Sequence, residues 1–84
     1  MVKRVGPASL RLVQNGAADV DIQVKLGPRN VWHGVASFPL EMTEDAAVRI
    51  DMVETPNDVE DLVREFSDEG TWSSYQDFRN RNDF

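Results

Sequence analysis

His33 is the single histidine of an 84-residue chain that contains no cysteine, so the side chains that most often build acid–base and metal sites are nearly absent. A lone imidazole can act as a general base or a ligand, yet nothing at motif spacing accompanies this one. Its place beside Trp32 reads as a strand histidine on the face opposite the large rings. Ser9, Ser37, Ser67, Ser73 and Ser74 stand in no nucleophile-elbow context, and no glycine run is present to cradle a phosphate. The 15 Asp and Glu residues offer many carboxylate pairs. Such pairs become catalytic only where a cleft drives their pKa values apart, and on a wet helix face they merely repel. The stretch from Glu65 to Gln76 imitates a calcium loop, with Gly70 at the sixth position. It carries Glu65 where Asp is usual and Gln76 where a bidentate Glu must stand, so it is read as a helix stop. No catalytic residue, metal ligand or cofactor is assigned, and the expectation is a protein that is not an enzyme.

Charge remains as the carrier of function. The net charge of −6 hides an asymmetry. Residues 1–40 hold five Lys/Arg against two acids, residues 41–69 hold eleven acids against Arg49 and Arg64, and the last fifteen residues are balanced. Such an acidic block repels nucleic acid and anionic lipid and attracts basic surfaces. Solubility alone does not require this density of carboxylates. The expected docking set is Glu60, Asp61, Glu65, Asp68 and Glu69, joined by Tyr75 and Arg79 from the aromatic tail, because Tyr and Arg are enriched at binding interfaces.

The elements that must position these groups can be traced in order. Eighty-four residues fit one domain with one modest core, β-rich over 1–54 and helical over 55–84. Val20, Ile22, Val24 and Leu26 alternate with Asp19, Asp21, Gln23 and Lys25, the pattern of a strand with one wet face. Ser9–Gln14 forms a strand ahead of it, joined through an Asn15-Gly16 turn with a loop longer than two residues. Val31–Phe38 reads as a strand with Trp32, Gly34, Ala36 and Phe38 on one face. Ala46–Glu54 fits either a strand or a helix behind Thr43; its β-branched content favours the strand. Thr55-Pro56-Asn57-Asp58 then caps a helix whose apolar stripe is Val59, Leu62, Val63 and Phe66, with Gly70 as its stop. Trp72, Tyr75 and Phe78, spaced by three, suit a short aromatic helix. Trp72 and Phe78 are assigned to the core. The fold expected is α+β: an antiparallel sheet or small open barrel of about four strands, then an amphipathic helix and a short aromatic C-terminal helix.

The opening Val2-Lys3-Arg4-Val5-Gly6, with Arg11 following, resembles the start of swapped-hairpin bacterial antitoxins. That resemblance covers residues 2–11, and the strand region 19–38 departs from the family's pattern. It implies a regulator binding DNA through Lys3, Arg4 and Arg11, with an acidic tail wrapping a basic toxin. The residues themselves favour a different order. First comes a non-enzymatic protein-binding module, a small acidic inhibitor or accessory protein of viral or mobile-element type, docking on a basic, nucleic-acid-binding partner. Second comes a structural assembly subunit, a homo-oligomer in a virion or other complex, and third the DNA-binding regulator. Direct nucleic-acid binding is disfavoured by the net charge, and no small-molecule substrate is expected. No stretch approaches a membrane span and no secretory signal opens the chain. The expected location is therefore cytoplasmic, that of the host if the protein is viral.

Overall fold

The computed structural model describes residues 2–27, 31–66 and 69–81, with the side chains of residues 69 and 71 outside that set. Four antiparallel strands form an open sheet in chain order: β1 (Val2–Val5), β2 (Ala8–Asn15), β3 (Asp19–Leu26) and β4 (Trp32–Pro39). A 3₁₀ turn over Leu40–Met42 leads into three helices, α1 (Thr43–Asp51), α2 (Pro56–Phe66) and α3 (Glu69–Arg81). The α+β expectation holds, and the strand count is right. The fourth strand, however, is the basic N-terminal segment and not residues 46–54.

Strand alternation divides the sheet into two faces. Leu10, Val20, Ile22, Val24, Leu26, Val35 and Phe38 join one buried cluster with Ala46, Ile50, Val59, Leu62, Val63 and Tyr75 from the helices. The opposite face carries polar side chains. The hairpin β1–β2 turns through Gly6-Pro7 alone, because Val5 pairs with Ala8. Gly6 has φ +58°, the conformation a II′-type hairpin demands of its first central residue. The β2–β3 loop has three residues, because Asn15 pairs with Asp19, so a loop longer than two was rightly expected.

Three local expectations are corrected. Ala46–Glu54 is not a strand: α1 buries Ala46 and Ile50 on one face, with Glu44 and Asp45 at its positive end. The apparent alternation came from Val48 and Met52, which a helix places together, four residues apart, on its outer side. They are 54% and 64% exposed. Gly70 does not stop α2; that helix ends at Phe66, and Gly70 lies in the first turn of α3. The third correction concerns β4, where the register shifts between Ile22↔Ala36 and Gln23↔Gly34. This bulge at Val35 reverses the faces of the residues before it. His33, paired with Val24, therefore lies on the helix side, and Trp32, paired with Lys25, lies on the wet side.

The helix layer is fastened by its own sequence. Asp58 Oδ2 accepts from the backbone N–H groups of Glu54 and Thr55, each at 3.0 Å, and the Asp58 N–H returns to Thr55 Oγ1. This is the reciprocal cap expected of Thr55–Asp58, and those backbone bonds hold the Asp58 carboxyl below the ordinary carboxylate range. Lys3 Nζ donates to the carbonyls of Ile50 (3.3 Å) and Asp51 (2.7 Å), satisfying the open end of α1.

Candidate functional site

The acidic residues divide according to what α2 packs against. Glu60 faces α3 and pairs with Arg79. Glu65 reaches α1 and pairs with Arg49, whose guanidinium also lies 5.2 Å from the Phe66 ring centroid. Arg64 sits 5.0 Å over Trp72. The three helix-layer arginines before Arg81 thus fasten α1, α2 and α3 to one another. Asp61 is exposed, and among the described residues it takes no ion pair. Asp68 lies outside the described residues, and Glu69 opens α3.

Tyr75 is not a surface group. It has no exposed area and stacks on Trp72 at 5.9 Å, so its place in the docking set is corrected to the core. Trp72 and Phe78, expected in the core, both pack against it while half-buried. The middle of the three faces the sheet directly, as the centre of an α3 stripe must. Burial first, and then the nearby Glu60 anion against the opposing Arg79, pushes the Tyr75 phenol up to about 12. Arg79, held by Glu60 and partly buried, is a fastening residue.

His33 also departs from expectation. Its ring stacks on Phe78 at 5.1 Å with 17° between planes, and Nε2 is buried without a hydrogen-bond partner among the described residues. Burial lowers its pKa. Ser74, Asp77 and Arg81 line the same hollow, but among the described residues no hydrogen bond joins Nε2 to either a nucleophile or an orienting carboxylate. The arrangement packs α3 on β4 and lacks the linked donors that proton transfer requires. Among the described residues no group of three or more His, Asp or Glu is placed to hold a metal ion. Among the same residues no helix is long and apolar enough to cross a membrane.

What the structure does bring together is the seam between α1 and α2. A groove there is lined by Met52, Val53 and Leu62 together with Asp58, Asp61 and the Arg49–Glu65 pair. Val48 stands on α1 four residues before Met52, the residue that caps the helix, and Asp51 and Glu54, its near neighbours in sequence, are exposed. Sequence reading missed Val48 and Met52 because it spent them on an imagined strand. The signal was there: the helical reading of the segment leaves these two apolar residues with no core to enter. Compared with known proteins, the chain matches no family model, and no curated protein or solved structure matches it significantly.

Proposed function

We propose that the protein is a non-enzymatic binding module that docks a basic, amphipathic segment of another protein on the α1–α2 seam. An inhibitor or accessory role on a nucleic-acid-binding partner fits such a surface, since those partners carry basic segments. The carrying observation is Met52, 64% exposed in a groove it shares with Asp58 and Asp61. An apolar anchor beside the exposed carboxylate of Asp61, which takes no ion pair among the described residues, is what a cationic helix with one greasy face would meet. The docking set accordingly keeps Asp61, gives up Glu60, Glu65, Tyr75 and Arg79, and gains Val48 and Met52, with Asp51 and Glu54 nearby in sequence.

A synthetic Lys/Leu amphipathic peptide titrated calorimetrically tests the reading. Binding should weaken as salt rises, because exposed charges are screened beyond about 8 Å at physiological ionic strength. Met52→Ser and Asp61→Lys should each weaken it about tenfold, the 1.4 kcal/mol of a modest interface residue. Affinity indifferent to salt and to both substitutions would end the proposal.

A further inference from the structure

The register of the sheet sets four side chains side by side across the wet face. Arg4 pairs with Ser9, Ser9 with Lys25 and Lys25 with Trp32, so one row crosses all four strands. With strands about 4.8 Å apart, it runs roughly 14 Å from guanidinium to indole. The next row supplies Arg11, paired with Gln23, and Arg11 leans back over the Trp32 ring at 4.1 Å from its centroid. Its Nε donates to Gln23 Oε1 at 2.8 Å, which holds the guanidinium in that place. Lys25 Nζ lies 5.5 Å from the same ring. A hollow of about 440 Å³ opens between Arg4 and Lys25, lined also by Val2, Pro7, Ser9 and Gly27. Among the described residues, none of the three cations has a carboxylate partner.

We infer that this row is a binding site for single-stranded nucleic acid, distinct from the α1–α2 seam. Phosphates lie in the hollow against Arg4 and Lys25, and a base stacks on the Arg11–Trp32 pair. Several observations favour this occupant. Arg4 and Lys25 stand two strands apart in one line, and Arg11 joins them from the next row. The line ends on an aromatic ring already used for a cation–π contact, the combination of charge and stacking that single strands need. Among the described residues the face is made of strands alone, with no helix on it to enter a duplex groove. The molecule's net charge of −6 does not forbid it. The acids are concentrated in the helix layer, and Asp19 and Asp21 lie toward the other end of β3, a few residues from Lys25. The principal extents are 35 × 25 × 22 Å, against a screening length of about 8 Å at physiological salt. The basic row therefore acts on a ligand largely by itself. Lys3, which the resemblance to antitoxins would enlist, is on the helix side and bound to α1; Lys25 takes its place.

Fluorescence anisotropy with a short labelled oligothymidylate at low ionic strength is the test, with thymidine mononucleotide and inorganic polyphosphate as competitors. The oligonucleotide should bind and the mononucleotide compete poorly. The slope of log affinity against log salt should fall by about 0.7 for each cation removed in R4A and in K25A. W32A should lose roughly five- to hundred-fold, the range of one base–aromatic stack, while E44Q on the helix layer leaves binding unchanged. Amide shift mapping on the unaltered protein covers the case of a variant that fails to fold, and should move residues 4, 9, 11, 25 and 32. No anisotropy change, shifts confined to the helices, or polyphosphate competing equally while W32A binds normally would each overturn the inference. So would a salt-sensitive dimer that buries the row against a second copy.

Discussion

Tyr75 is the chain's single tyrosine, so its ionisation can be followed by absorbance without interference from another phenol. Its phenol is pushed up to about 12, whereas an unfolded tyrosine titrates near 10. Above pH 10 the unfolded chain therefore releases a proton that the folded one keeps, and stability falls as pH climbs from about 10 toward 12. The tyrosinate band should appear with a midpoint near 12 in the native protein and near 10 in denaturant; a native midpoint near 10 would place the ring at the surface. His33 works in the opposite sense. Burial lowers its pKa, so the unfolded state, near 6.5, takes up a proton first, and stability is lost as pH falls from about 6.5 through the folded pKa. Asp77 and Arg81 line its hollow with opposite charges. The melting temperature should drop between pH 7.5 and 5.5, and H33F, which keeps the stack on Phe78, should remove the drop. An equal drop in the variant would assign it to the carboxylates.

Among the elements, those whose apolar residues mostly enter the core were legible, and α1, with two on its outer side, was not. β3 spends Val20, Ile22, Val24 and Leu26 entirely inside, and α2 buries Val59, Leu62 and Val63 while Phe66, the last of its expected stripe, is 37% exposed; both were readable from periodicity. α1 carries Val48 and Met52 on its outer side, and this surplus imitated a strand. β4 was readable as a strand but not in its facing, because a bulge is an insertion in register that period-two counting cannot detect. The seam needs Val48 and Met52 on the outer side of a helical segment and the basic row needs Trp32 turned by the bulge, which is why neither site could be assembled from the sequence. The β1–β2 turn supplies an element-scale prediction. Gly6 has a positive φ, and a Cβ there would meet Pro56 Cγ at 3.2 Å, at the start of α2. Gly6→Ala should cost about 1–2 kcal/mol in chemical denaturation. Gly16, at φ +70° with nothing near its missing Cβ, is the control, feeling the backbone term alone.

At the scale of the whole molecule, sheet and helices carry opposite charge, and the expected division into a basic front and an acidic back became a division between layers. The arginines within the acidic half fasten the helices together. Of the acids left without an ion pair among the described residues, Asp58 and Asp61 line the seam; Arg4, Arg11 and Lys25 lie across the sheet. The Lys3 contacts make these two layers close as a loop in sequence. An ammonium near the chain's start seals carbonyls 47 and 48 residues later. During synthesis the first hairpin can pair as soon as it emerges, but its outer strand stays unlatched until residue 51 has cleared the ribosome. The edge strand of the sheet is thus latched by a helix made long after it.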